Sequence, residues 1–471
     1  MGVLKNVNPL GVAKTPAAYK IVEVTITNAE GEAINVETML KELEITESIY
    51  SPTLVCKISV LDEANLLETL PLFGLETIYV KLSRIEGSTD DKQGVTRAGD
   101  EHFIEHVFYV TEFPLFGRPR RERVQVWSMA GVSHHGWKNP LMRISRGYLG
   151  PFADEIVKIA DDAFGAEVEV RGSPYSKGRG VINIQTPLQA MEWFRRRTFE
   201  ENGTPFYLYE IMDDDPAPVL YLESHSSIAK KEIHRRFYDS RDFNVDVATL
   251  EDYEARIARM VEVSSMLKLS KIVPGRDGAF ASENNFVDLS KKKFFKRYYS
   301  YNDEMFPLSS TINETNILES PPFYEFPDIG HEHTSTPKYI RENEENLNEE
   351  FFAHLEFMSL NSEAYYESEL QNYMQISHEQ IDVLNAFPGI FNTLMHDVRV
   401  HGDFELNAGK TVELMFPKAV DPAQTTQIGT LPTDLFDEHL SGKYIVISAI
   451  HHFKDQEYYT TIRTKRDSFS P

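Results

Sequence analysis

The sequence predicts an α+β chain that is mainly β, with two similar antiparallel β-barrel modules and an α+β insertion between them. Three observations carry that expectation. Apolar residues alternate with polar ones near both ends, matching turn signals fall at matching intervals in those two regions, and helical periodicity is confined to the middle. In the first region, residues 54–128, Leu54, Cys56, Ile58 and Val60 alternate with Lys57 and Ser59 and lead to Gly74. A strand over 77–82, a polar loop, and a hairpin from 103–112 to 123–128 follow. In the second region, residues 396–465, a strand over 397–406 leads to Gly409, a strand over 411–416, a polar loop, and a hairpin from 443–452 to 458–464. Gly74 precedes Thr111 by 37 residues and Gly409 precedes Ser448 by 39, so the order and the spacing both indicate an internal duplication.

Ahead of the first module, Val22, Val24 and Ile26 alternate and Glu30-Gly31 turns the chain into a strand over 33–36. Residues 90–100 form a polar loop without a period. In the middle, Phe152, Ile156, Ile159, Ala160 and Ala163 make one helical stripe that Gly165 ends, and Val168 and Val170 begin a strand. Thr186-Pro187-Leu188-Gln189 is a capping box with proline at the first helical position, opening a helix expected to run to Asn202-Gly203. Segments 206–211 and 219–223 flank 213–218 as a hairpin. Between 256 and 271 the apolar residues fit helix and strand templates equally. Pro274-Gly275-Arg276-Asp277-Gly278 is a turn. Residues 302–348 are rich in Pro, Asn, Glu, Ser and Thr, and are expected to form an extended arm or a subunit-contacting excursion. Ser362 caps a helix with Tyr366, Leu370, Tyr373 and Met374 on one face, and Pro388-Gly389 breaks the segment before the second module.

These elements divide the chain into an extended segment (1–17), a first barrel domain (18–138) and an α+β domain (139–245). A β-rich segment (246–300) contributes to the second barrel or to the α+β domain. An arm with a helical insertion (301–395) and the C-terminal part of the second barrel (396–471) complete the chain. The net charge of −25 opposes general nucleic-acid binding, which depends on neutralising phosphates. No run approaches the ~18 apolar residues of a membrane span. The N-terminal 15 residues hold no apolar stretch of signal-peptide length. The single cysteine, Cys56, rules out an intrachain disulfide and reads as an inert core thiol in a chain folded in a reducing cytoplasm.

Candidate chemistry is sparse. His331-Glu332-His333 would share a face on a strand but has no third ligand beside it. His134-His135 and His451-His452 are adjacent pairs that point to opposite faces of a strand, and surface or intersubunit packing is the expectation for both. Ser145 and Ser176 have no positioned base. Asp213-Asp214-Asp215 reads as a solvated hairpin turn. The basic clusters at 118–123, Arg195-Arg196-Arg197 and 291–297, the last with Phe294 and Phe295, are expected to make subunit contacts rather than to bind nucleic acid. Phosphate-loop, GxSxG and HExxH signatures are missing from the sequence. The sequence therefore assigns no catalytic, cofactor or metal residue, and no enzyme activity is expected.

The C-terminal run Val400-His401-Gly402-Asp403-Phe404-Glu405-Leu406 continues as Asn407-Ala408-Gly409-Lys410-Thr411-Val412-Glu413-Leu414. Then come Leu440-Ser441-Gly442-Lys443-Tyr444-Ile445-Val446-Ile447, His451-His452-Phe453 and Tyr458-Tyr459-Thr460-Thr461. Near the other end, Ile45-Thr46-Glu47-Ser48-Ile49-Tyr50-Ser51-Pro52 is followed by residues 58–62, Asn65-Leu66, Leu70-Pro71 and Gly74. This pattern resembles the central baseplate hub proteins of contractile-tailed bacteriophages and of related contractile injection machines. The resemblance covers both ends well and the middle loosely, and departs from the family in 302–360 and in the insert containing Pro388. It implies a homotrimer in which two tube-like barrels per chain build a pseudo-sixfold ring, matching a sixfold tail tube on one face and a threefold spike on the other. Tail tube, central spike, tape measure and baseplate wedge proteins are the implied partners, DNA passes through the lumen without specific binding, and the chain belongs to the virion after assembly in the host cytoplasm. The residues alone leave two other classes open: a cell-wall hydrolase with the α+β block as its lytic unit, and a carbohydrate- or receptor-binding tail protein.

Overall fold

A computed structural model of the chain describes residues 19–62, 74–84, 102–112, 125–213, 219–239, 258–267, 281–288, 293–300, 311–313, 355–360, 387–389, 391, 394–418, 436–437, 439–454 and 457–468. The first module contains β1 (Tyr19–Thr27), β2 (Ala33–Asn35), β3 (Leu40–Ser48), β4 (Val55–Asp62), β5 (Thr77–Arg84), β6 (His102–Glu112) and β7 (Gln125–Val132). They pair antiparallel in the order β3-β4-β7-β6-β5-β1-β2. Alternation sends one face of each strand inward, so that Leu43, Ile45, Cys56, Ile58, Val80, Leu82, Phe108 and Trp127 share one core. Cys56 sits there as an inert thiol, held protonated by burial and then by Glu44.

The insertion opens with α1 (His134–Lys138), β8 (Ile144–Pro151), α2 (Phe152–Phe164) and β9 (Glu167–Arg171). It continues through β10 (Lys177–Gln185), α3 (Pro187–Arg195), β11 (Phe206–Tyr209), β12 (Val219–Ser224) and α4 (His225–Lys230). The expected stripe of α2 is fully buried, and Gly165 ends the helix at φ 65°. Thr186 and Gln189 make the reciprocal cap of α3. That helix stops at Arg195, short of the expected Asn202-Gly203. The Arg197 amide and the Thr198 hydroxyl both turn back onto the Phe194 carbonyl, which tightens the last turn. Asn202-Gly203 instead turns a small loop closed by the Phe199–Pro205 bridge. Hairpin β11–β12 forms as expected, with β9 added in parallel to β12.

The second module uses β13 (Ile233–Asp239) and β14 (Arg259–Leu267), so within the ambiguous 256–271 stretch residues 259–267 are strand. After a separate three-stranded sheet of β15 (Ala281–Asp288), β16 (Lys293–Ser300) and β17 (Leu355–Leu360), it resumes. Its remaining strands are β18 (Leu394–His401), β19 (Thr411–Met415), β20 (Gly442–Lys454) and β21 (Glu457–Arg466). The ring β19-β13-β14-β18-β21-β20 closes through β19–β20 pairing around Val398, Val412, Leu414, Val446 and Ile462.

Five strands of each module match in ladder order and register. Strands β3, β4, β7, β6 and β5 have the same ladder order as β14, β18, β21, β20 and β19. Thr77 faces Tyr109 as Thr411 faces Ile445. The Val110 amide donates to Glu76 O just as Val446 donates to Lys410 O. Both hairpins carry a register shift in the same place, at Thr111 and at Ile447. Both first strands do so as well, between Leu40 and Glu42 and between Met260 and Glu262. Sequence spacing had set Thr111 against Ser448; the ladders set it against Ile447, because the turn from Gly74 to Thr77 is one residue longer than that from Gly409 to Thr411. Bulges are inherited features of a strand pair, so two coincident bulges mark one module used twice.

Gly402 shows how tightly the second module closes. A Cβ there would lie 2.0 Å from Cδ1 of Tyr458, whose carbonyl accepts the Gly402 amide at 2.9 Å. Gly402→Ala is expected to lower stability by about 1–3 kcal/mol through overpacking; a melting temperature equal to wild type would contradict this contact.

Candidate functional site

The two barrels meet along one strand. On one edge β20 pairs with β19 at its start and with β3 from Ser448 to Lys454, so a single sheet runs from one module into the other. At this seam stands Glu47 of β3, buried in the β3–β20 crossing. Its Oε2 accepts the Met212 amide from the α+β insertion at 2.8 Å, and its Oε1 accepts the Ala408 amide from the second module at 2.8 Å. His451 Nε2 lies 3.6 Å from the same carboxylate while its Nδ1 meets the Tyr458 hydroxyl at 2.8 Å. Asn407 Nδ2 donates to Met212 O at 2.9 Å. One carboxylate thus fastens three parts of the chain.

Similar fastenings surround it. Glu210 accepts the Leu54 amide at 2.8 Å and lies 3.2 Å from His135 Nε2. Burial works against charging His135, but the Glu210 carboxylate outweighs it and raises the imidazole above its ordinary range. His225 Nε2 meets Asp467 Oδ2 at 3.0 Å, and Asp467 Oδ1 accepts the Ile312 amide at 3.0 Å. Lys231 bridges Glu223 (2.7 Å) and Gly409 O (2.9 Å), and burial lowers its ammonium's proton affinity. Lys443 Nζ donates to Ala229 O (2.6 Å) and Lys231 O (2.7 Å), placing a cation at the C-terminal end of α4. Gly409, at φ +78°, permits both the turn and the approach of Tyr209, whose hydroxyl would lie 2.4 Å from a Cβ. Deeper in the second barrel, His396 is held by Ser265 Oγ (2.9 Å) and the Tyr444 hydroxyl (3.1 Å). Tyr444 gives its own proton to Leu440 O, so His396 Nε2 is the donor and Nδ1 the acceptor of a neutral ring. Burial, then the Arg466 charge, pushes its pKa down to about 4.

The solvent face across the seam is concave. A groove of about 580 Å³ crosses β14, β18, β21, β20 and β3, lined by Glu42, Glu262, Asp397 and Glu457 together with Arg399, His452 and Lys454. Lys454 pairs with Glu42 at 3.3 Å, Arg463 forks onto Asp397 at 2.8 and 2.9 Å, and Arg399 lies over the Tyr459 ring. These contacts hold the cations against acidic or aromatic partners.

No family model matches the chain, and no curated protein matches it. Solved structures do. The chain is similar to the 43 kDa tail protein of prophage MuSo2 from Shewanella oneidensis, with a TM-score of 0.49, 11% identity, and 95% of this chain and 99% of that one covered. It is also similar to a tail protein from Neisseria meningitidis MC58, with a TM-score of 0.48, 10% identity, and 95% and 97% coverage. A third is the c3393 protein of E. coli, described as a component of the type VI secretion system with structural similarity to the T4 bacteriophage tail proteins gp27 and gp5. There the TM-score is 0.38, identity 7%, and coverage 92% and 76%.

Several sequence expectations are corrected at the seam. His134 and His135 open a short helix rather than lying on a strand, and His135 and His451 are buried inside the chain rather than in surface or subunit packing. Each packs there against a buried carboxylate. Of the arginine triplet, Arg195 and Arg196 bind Glu192 and Arg197 stacks on Trp193. Residues 387–389 are helical where Pro388-Gly389 was expected to break the chain, and Phe387 and Phe391 pack on His225. Ser145 donates to Ile182 O and Ser176 accepts the Phe199 amide. Asp213 accepts from the Tyr221 hydroxyl at 3.2 Å. Within the expected arm, Ile312 is buried against Asp467. The N-terminal segment, the 90–100 loop, the 118–123 cluster, the turn at 274–278, His331-Glu332-His333, the helix at 362–374 and most of 302–348 lie outside the described residues. Residues 293–297 of the third basic cluster lie on β16. Among the described residues there is no metal-holding group of His, Cys, Asp and Glu, and no helix long and apolar enough to cross a membrane.

Sequence reading passed over Glu210 and Asp467, and quoted Glu47 only within the run 45–52, without a role. A second trace of Glu47 is its inward position on an alternating strand, Leu43–Ile45–Glu47, where burial demands partners.

Proposed function

We propose that this chain is the structural hub of a contractile-tail baseplate, acting as a homotrimer whose six modules form a pseudo-sixfold ring. The single observation behind the reading is the register-level repeat joined by one continuous sheet. A chain that carries two copies of one module offers six comparable positions from three protomers, which is how a threefold object meets a sixfold one. The sequence resemblance to baseplate hubs points the same way. In this reading one face of the ring meets the tail tube, the other the central spike, and the tape measure and baseplate wedge proteins are further neighbours. The concave face across the seam lines the passage for DNA: its cations are engaged by carboxylates or an aromatic ring and present little for phosphates to grip. The role is structural rather than catalytic, exercised in the virion tail after assembly in the host cytoplasm.

Sedimentation of the purified chain, alone and with its cognate spike protein, tests the stoichiometry. Three chains per complex is the expected mass; a single chain in both samples contradicts the trimer. Incubation with purified bacterial cell wall is expected to release no sugars, and release abolished by one carboxylate substitution would favour a hydrolase instead.

A further inference from the structure

A second cavity, of about 360 Å³, lies between the first module and the insertion. Val107 and Tyr109 of β6 line it, with Asp213 and Tyr221 of the β11–β12 hairpin and the C-terminal end of α2. The repeat gives this place a counterpart. Thr77 faces Tyr109 as Thr411 faces Ile445, so Val107, two residues earlier, stands where Lys443 stands in the second module. There the Lys443 ammonium donates to Ala229 O and Lys231 O at the C-terminal end of α4. In the first module Val107 is 45% exposed, and the last turn of α2 carries no basic residue. A helix C-terminus favours a cation, yet among the described residues lining this cavity there is no lysine or arginine.

The rest of the lining suits a positive charge. Asp213 accepts the Tyr221 hydroxyl, and Glu210 serves the Leu54 amide and His135. His106 also lines the cavity, and its Nε2 is buried with no hydrogen-bond partner among the described residues. Burial lowers the proton affinity of His106 and outweighs the Glu210, Glu47 and Asp213 carboxylates that favour charging it. A neutral ring can present Nε2 as an acceptor. Arg171, over the Tyr221 ring at 4.4 Å, is already forked onto Glu169. Val107 and Val219 add an apolar wall that suits a methylene stem. Among the described residues no three metal-ligating side chains gather, so the lining fits an organic cation better than a metal ion. We propose that this cavity binds a primary alkylammonium, which takes in the first module the place of the Lys443 ammonium in the second. Its source is a free amine or the lysine side chain of a bound protein, and the site is independent of the hub reading.

Calorimetric titration of the full chain with butane-1,4-diamine tests the site, with 1-butanol and magnesium as the neutral and inorganic controls. Saturable binding of one diamine per chain is expected, about tenfold or more tighter than either control. Asp213→Asn should weaken the diamine by about tenfold or more. Val107→Lys should place the chain's own ammonium in the cavity and weaken the diamine to a similar degree. It should also raise the melting temperature by about 2 °C or more, whereas Val107→Met, similar in length but uncharged, should not. Nα-acetyl-lysine methylamide separates the sources. Binding as tight as that of the diamine assigns the site to a protein's lysine, and weaker binding assigns it to a free amine. No saturable binding of either amine overturns the proposal, as does diamine binding that both Asp213→Asn and Val107→Lys leave unchanged. Butanol binding as tightly as the diamine overturns it too. These results leave the number of chains per complex, which sedimentation reads, untouched.

Discussion

Replacing Glu47 by alanine is expected to destabilise the chain by about 2–6 kcal/mol, because two buried amide donors lose their acceptor at once. Met212 and Ala408 both donate to this carboxylate at 2.8 Å, and water has no access to replace it at a residue 1% exposed. The two amides belong to different parts of the chain, so the loss should fall on the joint and not on either core. Amide exchange should quicken at 212 and 408 before it quickens inside β4 or β18. Glu47→Gln keeps one carbonyl acceptor and turns an NH2 group toward the other donor, so it should cost roughly half as much. Chemical unfolding of the three proteins checks the order. A loss under 1 kcal/mol for the alanine variant would mean that the carboxylate does not hold the parts together.

The second large effect is a pH dependence centred on His396. In the folded chain its pKa is about 4, against 6.5 for an unperturbed imidazole. Between those values the unfolded chain binds a proton that the folded chain refuses. Stability is therefore full above pH 6.5, falls as the pH drops toward 4, and levels off below. The linkage relation makes the loss about 3 kcal/mol. Protonation would also remove the acceptor at Nδ1 that Ser265 uses. His396→Phe keeps a buried ring at the position and should flatten the curve over that interval, whatever its effect at neutral pH. Urea midpoints between pH 4 and 7 measure it. Parallel slopes for the two proteins would show that other groups carry the acid sensitivity.

How far the sequence reached is clearest in particular elements. The strands of both modules and the stripe of α2 were legible because alternation and 3.6-residue periodicity reflect one buried face each. The cap at Thr186 was legible because its chemistry is local. The first strands β3 and β14 were not recognised as part of the repeat. Their residues diverge, Ile45 against Ser265 and Glu47 against Leu267, and only the ladder shows that they take the same place. The end of α3 was misplaced because a hydroxyl at Thr198 closed the helix before the Asn-Gly signal was reached. The buried carboxylates of the seam were invisible for a different reason. Their partners are backbone amides and imidazoles up to 361 residues away in sequence, and no local pattern announces such pairs. What the spacing did reveal, the repeat, is also what the functional reading uses.

That repeat is tested most directly by imaging the assembled particle. Class averages of tail baseplates carrying this chain, viewed down the tail axis, should show a ring of six similar lobes built from three copies. The lobes should alternate between the two modules. A chain found at the periphery of the baseplate, or one copy per particle with its two modules facing unlike partners, would contradict the account.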